Sequence, residues 1–245
     1  KTSTKIIAAK KPDHVALVKR GIENTKIALE NKTKALLQNH DNLVAIQNLF
    51  ELSKIPERIE IYDNSHLMGQ YGVGVMVVSG PEGFMRNEYR TYNTNKAVKF
   101  GGDDYQMLRE VLNRRLAKLA ASNMPDLLII DGGKGHLSVT QEIMQSHNCD
   151  IKFVCMSKGV DRNAGKEVFH RPQEAIFTLD KGTKLMKYLQ ILRDEAHNFA
   201  INTHRKKRLQ SLKDSELNDL SNIGEKRKML LLRHFGSIDA IKDAT

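Results

Sequence analysis

The chain has 245 residues, 40% of them hydrophobic and 28% charged, and a formal net charge of +10. That length holds one large domain or one medium domain with an appendage, and the positive excess means either a solvated basic surface or a polyanionic partner. Two cysteines, Cys149 and Cys155, offer neither a disulfide framework nor a zinc site and fit a reducing, cytoplasmic setting, and no apolar run approaches the roughly 18 residues that span a bilayer, so no membrane partner is expected.

Residues 1–55 are rich in Lys, Asn, Gln and Ala, with Val15, Val18, Ile22, Leu36, Leu37, Leu43, Ile46 and Phe50 at helical spacing, which predicts two or three helices packed on another body. The opening at Lys1 and the stop at Thr245 within a helical pattern read as a piece of a longer protein. From Arg58 the period changes. Strands are predicted over 58–62, 72–79 and 88–93, and the turn at Pro81-Glu82-Gly83 makes them an antiparallel meander. Residues 103–121 form an amphipathic helix with Leu108, Val111, Leu112, Leu116 and Leu119 inward and Arg109, Arg114, Arg115 and Lys118 outside the stripe.

The nearly all-apolar run 127–131 predicts a strand buried on both faces, followed by a helix over 137–145 and another buried strand over 151–156. Phe169 and residues 175–179 suggest an edge hairpin. A long helix over 185–205 turns Leu185, Leu189, Leu192, Ala196 and Phe199 to the core, His204-Arg205-Lys206-Lys207-Arg208 begins a basic connector, and 215–245 reads as a separate helical unit. The order implies an α/β fold, a mixed sheet flanked by helices. Three regions result: N-terminal helices over 1–55, a main domain over 56–210 and a helical tail over 211–245.

Asp63 closes the run Ile59-Glu60-Ile61-Tyr62, Asp131 closes Leu127-Leu128-Ile129-Ile130, and polar or glycine residues follow each at once. A carboxylate where a buried strand meets solvent is held by its strand at little desolvation cost. Two on neighbouring strands make an oxygen cradle for a divalent cation, at the edge where open α/β sheets place their sites. The plain alternative is that each aspartate caps a turn. Asp103 and Asp104 precede a helix, where capping and the helix dipole favour acids, and one of them could add another metal oxygen. On the long helix Arg193, Asp194, His197, Ile201 and His204 share one side, and His197 heads that polar strip as a candidate to bind metal, position water or protonate a leaving oxygen.

Gly132-Gly133-Lys134-Gly135 lacks the spacing of a nucleotide-binding loop and excludes an NTPase; it reads as a flexible turn where DNA backbone approaches Asp131, with Lys134 facing a phosphate. Around Asn222-Ile223-Gly224 a tight turn joins two helices, and Lys226 and Arg227 start the second, a phosphate-binding arrangement unless it is only a solvated hairpin. Arg193, Arg205, Lys206 and Lys207 complete the expected DNA contacts.

The stretches Arg58-Ile-Glu-Ile-Tyr-Asp-Asn-Ser-His66, Gly102-Asp-Asp-Tyr105, Pro125 to Gly135, Met156-Ser-Lys-Gly159 and Arg193-Asp-Glu-Ala-His197, with the helical hairpin, resemble the C-terminal half of the UvrC family, the incision subunit of bacterial nucleotide excision repair. The resemblance implies an RNase H-like endonuclease domain that makes the 5′ cut beside a lesion with Mg²⁺ or Mn²⁺ on Asp63, Asp131 and His197, with Asp104 or Asp103 as a further catalytic acid. It also implies lesion-bearing or nicked double-stranded DNA as substrate and UvrB as partner, met through parts largely outside this span. The family usually has Ile where this chain has Asn64, and Gly where it has Asn222. Rival readings are a non-catalytic DNA-binding scaffold and a junction-type nuclease of the same fold.

Overall fold

The computed structural model describes residues 11–67, 71–94, 103–120, 123–159 and 167–213, and the single positions 8, 224, 227, 230, 231 and 234. Helix α1 (Pro12–Phe50) is one element of 39 residues, where two or three helices are expected from the sequence. Pro12 stands in its first turn, where a missing N–H does no harm, and no proline follows until Pro56. Asn24, Asn31 and Gly21 lie exposed and weaken the helix without ending it. It stops at Glu51, which takes the left-handed conformation with φ 52°. Only its last turns are buried, through Asn42, Leu43, Ile46 and Phe50.

Strands β1 (Ile59–Leu67) and β2 (Tyr71–Gly80) pair antiparallel, and β3 (Gly83–Phe84) and β4 (Arg90–Asn93) both pair with β2, so the expected meander is present. Helix α2 (Asp104–Leu116), strand β5 (Leu127–Asp131), helix α3 (Lys134–Ser146) and strand β6 (Phe153–Ser157) follow. The hairpin β7 (Val168–His170) and β8 (Phe177–Thr178) closes one edge, and helix α4 spans Lys184–Lys213. The sheet runs β3-β2-β1-β5-β6-β7-β8, with β1, β5 and β6 parallel and the other pairs antiparallel.

Side chains alternate across this sheet and divide the core in two. Ile59, Ile61, Val77, Leu127, Ile129, Val154 and Met156 pack against the end of α1 and against Met186, Leu189, Leu192 and Ala196 of α4. Tyr62, Met76, Val78, Leu128, Ile130 and Cys155 pack against Leu108, Val111 and Leu112 of α2 and Ile143 and Met144 of α3. Strand β5 feeds both layers, and each of its four apolar residues is at most 1% exposed, worth about 1.5–3 kcal/mol apiece.

Three local expectations change. Strand β1 continues past Asp63 to Leu67, because β2 pairs with it throughout. Arg115, expected outside the stripe of α2, is buried because Glu60 on β1 is fully buried opposite it: Arg115 Nη2 donates to Glu60 Oε1 at 2.7 Å, and Arg58 Nε and the Tyr62 hydroxyl donate to the same carboxylate at 2.7 and 2.6 Å. Residues 204–208 do not begin a connector but stay within α4.

Candidate metal centre

The sheet register brings the two aspartates together. Strands β1 and β5 run parallel with Ile59 opposite Leu127 and Tyr62 opposite Ile130, so Asp63 and Asp131 come next in step, on the layer facing α4. Asp126 fixes that register at the other end of β5. Its carboxylate accepts the N–H groups of Glu57 and Arg58 at 2.8 and 2.9 Å, and its own N–H donates to the Arg58 carbonyl at 2.8 Å. Helix α4 packs across this face through Leu192 and Ala196, and the residue that follows Ala196 is His197. The His197 Nδ1 lies 3.1 Å from Asp63 Oδ2, and the ligand atoms of Asp63, Asp131 and His197 all lie within 4.8 Å of one another.

The electrostatics of the group suit a cation. Asp63 is 6% exposed, whereas half of the His197 side chain is open. Burial first and the Asp63 charge second push the Asp131 carboxyl up to about 6, against the opposing pull of Arg193, His197 and Lys158. Two carboxylates held side by side with too little positive charge form a hard-oxygen donor set, and an imidazole beside them completes a site that a divalent ion relieves electrostatically. The residues therefore fit a hard divalent cation.

Residues 47–201 match the family model described as the UvrC RNAse H endonuclease domain. The chain belongs to that family. It is 48% identical over 260 residues to UvrABC system protein C of Rickettsia africae, covering 94% of this chain and 41% of the relative, and 48% identical over 253 residues to that of Rickettsia typhi, covering 98% and 40%. The chain thus spans about two fifths of the length of these curated relatives. Among solved structures it resembles endonuclease V of Ciona intestinalis in complex with a 24mer DNA, at 14% identity and a TM-score of 0.32 over 43% of this chain and 47% of that one.

The family's other expected site residues are dispersed. Asp104 stands in the first turn of α2, which packs on the opposite layer of the sheet, and its charge and that of Asp103 bear on His136. Asp103 caps α2, accepting the Tyr105 N–H at 2.9 Å. Lys134 is the exposed first residue of α3. Arg193, expected at DNA, is buried instead: its Nη1 donates to Glu167 Oε1 at 2.8 Å and its Nη2 to Asp194 Oδ1 at 2.8 Å, so its charge works inside the protein. Arg205 and Lys206 are exposed, while Lys207 ties α4 to β4 through Asn93 Oδ1. In the tail, Gly224 and Arg227 are exposed and the Arg227 N–H donates to the Gly224 carbonyl at 2.9 Å; Ile223 and Lys226 lie outside the described residues.

The glycines after Asp131 make room for side chains. A Cβ on Gly132 would stand 2.3 Å from His136 Cγ, and one on Gly135 would stand 2.4 Å from the Tyr105 hydroxyl. Asn64 points to the other layer, where its Oδ1 is buried with no hydrogen-bond partner among the described residues. Sequence reasoning misses Lys158. Its signal is its place just past β6 in Met156-Ser157-Lys158-Gly159, at the same strand end as Asp131.

Proposed function

We propose that the chain is the catalytic part of a metal-dependent DNA endonuclease that makes the 5′ incision at damaged DNA in bacterial nucleotide excision repair. The observation that carries this reading is the convergence of Asp63, Asp131 and His197 on one point at the carboxyl edge of a parallel strand pair. The family membership and the net charge of +10 support it. Mg²⁺ or Mn²⁺, when bound, supplies neutralisation of the scissile phosphate and a water of lowered pKa.

Asp63 and Asp131 hold the ion in place, each set by a β-strand that cannot shift without unpairing. His197 completes the donor set or orients the attacking water, with its ring held by the Asp63 carboxylate. Exposed cations such as Lys134, Arg205, Lys206 and Arg227 supply backbone contacts that position DNA without reading its sequence. The division into helices over 1–55, nuclease over 56–210 and DNA-binding tail over 211–245, the cytoplasmic location and delivery of the substrate by UvrB belong to the same proposal. No described helix is long and apolar enough to cross a membrane.

The test is incision of a nicked, lesion-bearing duplex with Mn²⁺. Asp63→Ala and Asp131→Ala are each expected to slow cutting by orders of magnitude while still binding the duplex, since lysines and arginines make the phosphate contacts. Incision at the parent rate by either variant overturns the reading.

A further inference from the structure

Asp131 borders a positively charged edge on the side away from Asp63. The parallel ladder between β5 and β6 continues one step past Asp131, with the Gly132 N–H donating to the Met156 carbonyl at 3.0 Å. The two chains then leave the sheet side by side. A Cβ built on Gly133 would lie 3.9 Å from Ser157 Cβ, so Lys134 starts α3 close to where Lys158 leaves β6.

Both lysines are exposed, and the Lys158 charge reaches Asp131. On the neighbouring β7, His170 Nε2 lies 3.0 Å from the Ser157 Oγ, and burial, followed by the Lys134 charge, lowers the affinity of that imidazole for a proton. A neutral imidazole and a hydroxyl bonded to each other leave one polar hydrogen for an anion, the Ser157 O–H or the His170 Nδ1–H according to the tautomer. The first turn of α3 carries no acid and no side-chain cap, so its N–H groups add to the same field. Two cations and one neutral donor at the end of adjacent strands suit a singly charged phosphodiester better than a metal or an apolar ligand.

We propose that Lys134 and Lys158, with the Ser157–His170 pair beside them, clamp a backbone phosphate of the DNA strand being cut, next to the phosphate at Asp63, Asp131 and His197. The clamp rests on the nuclease reading and extends it: it fixes the side of the site along which the strand runs. Lysine is suited to this task because it holds a phosphate as a point charge and tolerates any base sequence.

Binding of a nicked duplex to the whole chain, with Ca²⁺ in place of Mn²⁺, tests it through the dependence of log K on log salt. Each phosphate contact contributes about 0.9 to that slope. Lys158→Ala and Lys134→Ala are each expected to reduce the slope by about 1, Lys158→Arg to keep it, and Lys152→Ala, at the opposite end of β6, to keep it as well. A single neutral methylphosphonate moved along the strand should then meet one position where it weakens the parent chain but not Lys158→Ala. Unchanged slopes in both alanine variants, or strictly additive losses at every methylphosphonate position, overturn the clamp even if the parent chain cuts. A parent chain that fails to cut while the slopes shift overturns the nuclease reading, and with it the clamp's place on a strand being cut, and leaves only a phosphate contact at Lys134 and Lys158.

Discussion

At the scale of single residues, Asp131 carries a measurable signature. Its carboxyl is pushed up to about 6 by burial and by Asp63, whereas in the unfolded chain it returns to about 4. Between those values the folded state binds the extra proton, so without a divalent ion stability falls as pH rises from about 4 through 6. Urea midpoints of the metal-free parent and of Asp131→Asn, compared at pH 4.5 and 7, should show the steeper loss in the parent. Mn²⁺ at saturating concentration should restore the parent at pH 7 by binding only the folded state. A second residue-scale effect concerns Asn64. Its buried Oδ1, without a partner among the described residues, costs roughly 1 kcal/mol or more, so the apolar replacement Asn64→Ile should raise the urea midpoint while Mn²⁺ affinity is kept.

At the scale of elements, the buried carboxylate of Glu60 couples β1 to α2. Arg115 Nη2 also donates to the Asn123 carbonyl at 2.7 Å, so one guanidinium ties strand, helix and the segment leading into β5. Arg115→Ala leaves Glu60 short of a partner in the interior and should destabilise the fold by about 3–5 kcal/mol, read from denaturant unfolding. Replacing Glu60 and Arg115 together with apolar residues should recover much of that loss, because no charge is then stranded. Both residues lie on the layer away from the metal centre, so the double variant should still bind Mn²⁺.

For the whole molecule, what the sequence discloses follows from the range of each interaction. The run 127–131 is legible to the residue, since five nearly all-apolar positions bounded by Asp126 and Gly132 have no home but a buried strand. Asp63 and His197 are legible as chemistry through polarity at a strand end and on a helix face, and through family resemblance. The true end of β1 is not, because Asn64, Ser65 and His66 are polar and only pairing with β2 carries the strand onward. Arg115 looks solvent-facing until Glu60, 55 residues away, is placed opposite it. Lys158 gains its meaning only from the parallel pairing of β5 with β6, and Arg193 loses its expected one through Glu167 on a segment that periodicity does not connect to it.

Asp126 has a wider consequence. By stitching the starts of β1 and β5 together, it decides which side of the sheet the acid at the far end of β5 faces. A slip of a single position along that ladder would send Asp131 through to the layer of α2 and α3, on the far side from Asp63. The reactive arrangement is thus all or none: strand alignment works as a combination lock whose tumbler sits remote from the door it opens.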